Sequence, residues 1–172
     1  MFSQLHMKNI IGHHKVTLLL VILSFGLSDG YSQTIVNGKE IIGIWKTIDD
    51  EEGKTKSHVE IYKKDNKYYG KIVKLVDPQI LVDAEKERFE DVICDECPKD
   101  HGKDKPLLGL QMLWDLEKLS DKYGEGEIMD PKNGKIYDCT VWLDDSDKNG
   151  NTLKVRGWIM FLFRTQTWYR VN

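Results

Sequence analysis

The sequence lacks most of what would declare a function outright. It contains no Gly-x-Ser-x-Gly, no glycine-rich phosphate loop and no His-Glu-x-x-His, so the usual hydrolase, nucleotide-binding and zinc-protease signatures are missing. Only three cysteines occur in 172 residues, and a chain of this size buries a core without disulfides or metal. No basic stripe stands out. Residues 1–32 hold two Lys and one Asp, which leaves 23 basic and 27 acidic residues and a net charge of −4 for the rest. Lys and Asp/Glu are interleaved there, which argues against nucleic acid as a partner. The clustered carboxylates Asp49, Asp50, Glu51 and Glu52 fall in an expected turn, where nothing would raise one of them toward acid catalysis. An enzyme is not expected, and no motif implies a cofactor.

Long apolar runs are also scarce. Val16–Leu27 extends for about 12 residues, short for a bilayer span and within the range of a signal-peptide core. Lys8, His13, His14 and Lys15 precede it, and small or turn-forming residues follow from Ser28 to Ser32. The expected organisation is a signal peptide over 1–32, cleaved before Gln33, and one domain over 33–172; the alternative is an uncleaved anchor. Met7 would serve equally as the start. With the first cysteine at Cys94, lipid anchoring at the cleavage point is disfavoured. The expected location is periplasmic or extracellular, with no stable membrane insertion after cleavage.

What remains reads as short β-type runs separated by turn chemistry. Strands are expected at Ile41–Ile48, Ser57–Lys63, Lys67–Leu75, Leu107–Trp114, Gly126–Met129, Ile136–Asp144, Thr152–Phe161 and Arg164–Val171. Val59 and Ile61 share one face of the second, with His58, Glu60 and Tyr62 on the other. Asp65-Asn66, Asp130–Gly134 and Asn149-Gly150 are turn signals. Leu116–Leu119 is ambiguous with helix. Residues 76–106 lose the strand rhythm and read as the least core-like part of the chain, functional or mobile. About eight strands in sequential hairpins, without covering helices, imply an all-β, antiparallel up-and-down barrel, since closure removes exposed edges.

An ordered set of motifs carries a resemblance. It comprises Gly43-x-Trp45-x-Thr47, Val59-Glu60-Ile61-Tyr62, Tyr69-Gly70-Lys71-Ile72-Val73, Gly109-Leu110-Gln111-Met112, Asp130-Pro131-x-Asn133-Gly134-Lys135-x-Tyr137, Leu153–Trp158 and Arg164–Val171. The chain resembles the bacterial exported domain-of-unknown-function family 2147 from about Gly43 to Val171. That resemblance implies a lipocalin-like β-barrel without an agreed activity. Gly43-x-Trp45 also resembles the first-strand motif of lipocalins, whose Trp packs at the closed end beneath an Arg from a late strand; Arg164 or Arg170 would take that part. One departure stands out: Met160-Phe161-Leu162-Phe163 occupies the place of a glycine-containing turn.

Two groups of residues carry potential chemistry. Trp45, Tyr137, Arg156, Trp158, Arg164, Trp168 and Arg170 are candidates to line a binding site for a small hydrophobic or amphipathic molecule, or else simply fill the barrel. Cys94-x-x-Cys97 reads as a structural disulfide of an oxidising compartment, with pairing of one of them to Cys139 as an alternative and Cys139 otherwise a buried thiol. A weaker alternative is a metal set of Cys94, Cys97, His101 and Cys139, or a redox pair. The functional expectation is non-catalytic binding. The alternatives are an interaction module that presents the 76–106 loop or the barrel surface to another envelope protein, whose identity the sequence leaves unknown, and a zinc or redox role at Cys94 and Cys97.

Overall fold

The computed structural model describes residues 40–49 and 52–172, and the expected signal peptide lies outside them. Eight antiparallel strands pair in sequence order and close into a barrel. They are β1 Gly43–Ile48, β2 Thr55–Lys64, β3 Lys67–Leu75, β4 Gln111–Lys118, β5 Tyr123–Asp130, β6 Lys135–Leu143, β7 Thr152–Ile159 and β8 Leu162–Arg170. A five-residue helix, α1 (Gln79–Asp83), and two 3-10 turns lie in the β3–β4 connection. No described helix is long and apolar enough to cross a membrane.

Alternation decides which side chains fill the barrel. On β2, Ser57, Val59 and Ile61 are buried while the residues between them are part-exposed. Val59 pairs with Trp45 on one side and Ile72 on the other, and Ile61 with Gly43 and Gly70. Leu113, Leu116, Val141 and Leu153 are likewise fully buried, each such aliphatic side chain contributing roughly 1.5–3 kcal/mol. The helical look of the region around Leu116 has a simple origin. Asp115 takes a positive φ of 54° within β4, so Leu113 and Leu116, three apart, face the same partner strand opposite Gly70 and Tyr68. A bulge in a strand thus imitates helical spacing.

The end of the barrel that holds the start of β1 and the end of β8 is plugged. Ile41, Trp45, Tyr68, Leu116 and Trp168 pack there with at most 1% exposure. The Trp45 indole donates to the Ile41 carbonyl at 2.8 Å, and the Arg170 guanidinium lies 4.2 Å above the Trp45 ring. Arg170 also donates to the carbonyls of Glu40 (2.7 Å), Ile42 (2.8 Å) and Gly150 (3.2 Å). Arg170 is therefore the late-strand arginine over the first-strand tryptophan, and Arg164 is not.

The β3–β4 connection corrects an expectation. Far from being the least core-like segment, it buries Val92, Cys94 and Cys97 to 2% exposure or less. Ile80, Leu81, Ala84 and Phe89 pack on the main core. Cys94 and Cys97 form a second small core with Leu110 and Met129, flanked by Trp114 and Ile136. Its apolar residues follow no strand or helix period because short turns present them one at a time. The segment docks against the β5–β6 hairpin so closely that a Cβ on Gly134 would meet the Glu96 carbonyl oxygen, and Gly134 itself sits at φ 66°.

Two outcomes test this account. Arg170→Ala removes the stacked cation and leaves three carbonyls without their donor; urea unfolding should show a loss of about 3 kcal/mol, with Arg170→Lys recovering less than half. A loss under about 1 kcal/mol would mean that the plug is held otherwise. His58 lies on the outer face opposite Lys46 and Lys74; its partial burial, then these two ammonium groups, hold its pKa below the ordinary 6.5. Its contribution is complete above pH 6.5 and is lost as the pH falls from there through the lower folded-state value. His58→Gln should flatten the unfolding midpoint over that window, and an unchanged slope would exclude His58 as its source.

Candidate functional site

The opposite end of the barrel is built differently. Continuing the inward registers gives Ile128 opposite Tyr137, Cys139 opposite Gly157, and Gly157 opposite Arg164. A Cβ on Gly157 would touch Tyr137 at 3.3 Å and Ile128 at 3.8 Å, which places these three on one inner wall. Arg164 is exposed, and Tyr137, Gly157, Gln166 and Ile128 are part-exposed, although their registers face the lumen. Water therefore reaches the inner wall at this end. Below it the lumen is filled, with Cys139, Val155 and Trp168 at 1–3% exposure. The Trp168 indole donates to the Gln166 side-chain oxygen at 3.1 Å. Thr47 and Ser57 share a hydroxyl hydrogen bond of 2.9 Å on the facing side of the lumen. The result is a shallow cup: an apolar floor, a tyrosine wall, and a cation at the rim.

The expected ligand-lining residues separate into three places. Tyr137 and Arg164 belong to the cup. Trp45, Trp168 and Arg170 form the packed interior and the plug beneath it. Arg156 and Trp158 alternate with the inward Val155 and Gly157, so they lie on the outer face. There Arg156 sits 4.3 Å from the Phe163 ring, 5.0 Å from Trp142 and 5.3 Å from Trp158, and donates to the Thr165 hydroxyl at 2.7 Å. Residue type had grouped all seven. Strand alternation, with Leu153 and Val155 inside, divides them, and it also points to Gly157, Gln166 and Ile128, which were not singled out.

The cysteine group divides too. Cys94 and Cys97 are bonded to each other. Cys139 is unpaired and buried in the main core, a separate cluster from that of Cys94 and Cys97. His101 stacks edge-on against Trp114 at 4.9 Å and lies 3.0 Å from the Asp100 carboxylate, whose pKa it lowers. The four residues weighed as a metal set are thus not assembled. Among the described residues no group of three His, Cys, Asp or Glu converges as a metal site. An acidic groove on the outer wall, lined by Asp115, Glu125, Glu127 and Asp138, carries Lys67 within 3.5 Å of Asp115 and 3.4 Å of Glu117.

A closed eight-stranded meander, with a Trp–Arg plug at one end and an open cup at the other, defines a lipocalin-like barrel. Protein HP1028 of the human pathogen Helicobacter pylori, described as belonging to the lipocalin family, shares this fold with a TM-score of 0.60 and 22% identity, over 78% of this chain and 84% of that one. The chain belongs to the family of uncharacterized proteins conserved in bacteria, domain of unknown function 2147, which it matches over residues 43–170. No curated protein sequence gives a significant match.

Burial drives the Cys139 thiol up to a pKa of about 12, and its sulfur is shut inside the barrel. A thiol that is both protonated and enclosed does not react as a thiolate. Alkylation at pH 8 should leave Cys139 unmodified in the folded protein and modify it alone after unfolding without reductant. Rapid labelling of the native protein would contradict its placement.

Proposed function

We propose that this chain is exported, loses residues 1–32, and binds a small hydrophobic or amphipathic molecule in the cup of its barrel, without chemistry on it. The observation that carries this reading is the solvent-accessible inner wall formed by Ile128, Tyr137, Gly157 and Gln166, with the Arg164 guanidinium at its rim. An apolar recess with few polar groups suits a ligand that is mostly hydrocarbon or aromatic. The cation favours a ligand with an anionic end, through a charge-assisted contact. Support for export comes from the basic segment and apolar run at the N-terminus, and from the Cys94–Cys97 disulfide, a bond that persists in oxidising compartments. The interaction-module alternative is the weaker reading of the 76–106 segment, because most of its apolar residues pack on the barrel, with Val82 and Ile93 left exposed.

Titration with an anionic amphipathic fluorophore, such as anilinonaphthalene sulfonate or a polyene fatty acid, tests the reading. Saturable binding at one site per chain is expected. Arg164→Glu should weaken it about tenfold, the size of one charge-assisted contact, and Lys154→Glu on the outer face should leave it unchanged. Absent saturation, or equal losses in both variants, would overturn the cup as the site.

A further inference from the structure

The β7–β8 hairpin ends in a feature that neither the fold nor the cup requires. Ile159 pairs with Leu162 across a two-residue turn made by Met160 and Phe161. Five consecutive large apolar residues stand in solvent there: Ile159 is 45% exposed, Met160 87%, Phe161 82%, Leu162 59% and Phe163 56%. A contiguous apolar patch on an otherwise charged surface marks a contact site. The turn is also unfavourable by local criteria. Two-residue hairpin turns favour Asn and Gly because they need positive φ, and here Met160 takes φ 53°. An unbranched but bulky residue is held in the left-handed region in order to present its side chain outward.

Two arginines stand beside the tip. Lys148 to Asn172 holds five cations and no Asp or Glu, of which Lys148 and Arg170 lie toward the plugged end and Lys154 pairs with Asp144, leaving Arg156 and Arg164. Both flank the tip directly: Arg156 stacks on Phe163, and Arg164 follows it in sequence. Trp158 packs on Phe163 with ring centres 4.9 Å apart, so an indole stands just behind the apolar point. The nearest carboxylate in register is Asp138, opposite Trp158. The upper part of β8 runs past the end of β1, with which it pairs only at Tyr169 and Arg170, so the hairpin is unflanked on that side.

We infer that this hairpin tip is a docking point for an anionic lipid surface. The Met160-Phe161-Leu162 point enters the boundary between headgroups and acyl chains, Trp158 sits at the interface, and Arg156 and Arg164 meet lipid phosphates. The order of apolar tip, aromatic belt and cationic collar is that of an interfacial anchor. A second copy of the chain is the poorer occupant, because a two-fold contact through the tip would set the same arginines against each other. The inference stands on the hairpin tip and does not depend on ligand binding in the cup, although Arg164 lies at the edge of both.

The test uses the chain from Gln33 onward, which contains the whole barrel and omits the Val16–Leu27 run that would itself bind lipid. Sedimentation with vesicles of phosphatidylcholine, with and without 30 mol% phosphatidylglycerol (about a typical anionic fraction), reads binding. Anionic vesicles should capture the protein and neutral ones should do so at least about tenfold less, with the difference shrinking as salt rises. Phe161→Asp should lower capture by about tenfold or more. Replacing Met160-Phe161 by Asn-Gly should do the same while raising the thermal midpoint, which separates lost docking from lost folding. The pair Arg156→Gln and Arg164→Gln should reduce only the anionic component. No capture, or capture insensitive to these tip changes, would overturn the inference. So would a concentration-dependent dimer abolished by Phe161→Asp in the absence of vesicle binding.

Discussion

The Arg170 guanidinium over Trp45 is the contact on which the closed shape rests. Every other strand pair is joined by a ladder of several registered residues, whereas β1 and β8 meet at two. Few ladder hydrogen bonds hold that seam, so a side chain must make up the difference. Arg170 suits the task because its planar fork carries several donors while its face stacks on an indole. It gathers carbonyls from the segment before β1 and from the β6–β7 turn, tying those two segments to the end of β8 through one cation. Partial burial lowers its pKa, but an arginine stays charged throughout, so the clamp persists at any pH the protein meets.

From that clamp follows the asymmetry of the barrel. An eight-stranded barrel has room inside for little more than its own side chains. Here the large ones, Trp45, Trp168, Tyr68 and Tyr123, are concentrated toward the plugged end, and Tyr68 and Tyr123 meet edge-to-face at 4.7 Å. Toward the other end small or polar inward positions, Gly157, Gln166, Thr47 and Ser57, stand among larger ones such as Tyr137 and Leu75. The inner wall is part-exposed on the side of β6 to β8, at Tyr137, Gly157 and Gln166. The long β3–β4 connection packs on the core beside this opening, and the β7–β8 hairpin forms part of the opposite rim.

Much of this was readable in the residues, for reasons that can be named. β3 was expected at Lys67–Leu75, where it lies, because the Asp65-Asn66 turn and Asp77-Pro78 delimit it sharply; both turn residues take positive φ. β4 was expected four residues too early, because the bulge at Asp115 breaks the alternation on which strand reading depends. The compact packing of residues 76–106 was not legible, since its order comes from docking against β5–β6 and not from any local period. Likeness to a known motif narrows the plug arginine to Arg164 or Arg170 and the contact with Trp45 decides for Arg170, while Arg156 and Trp158 are site candidates by residue type alone. Counting positions from Val155 would have sent them to the outer wall.

The order of strands has a consequence in time. Seven of the eight pairings join neighbours along the chain and can form from hairpins. The eighth must bring together atoms 128 residues apart, as in the contact of Arg170 with Ile42. Loop-closure entropy and topology place such a contact late. Until it forms, the chain is a curled sheet with two open edges, each a template for another molecule. The side chain that seals the barrel therefore also ends the interval during which a newly made chain can pair with its neighbours.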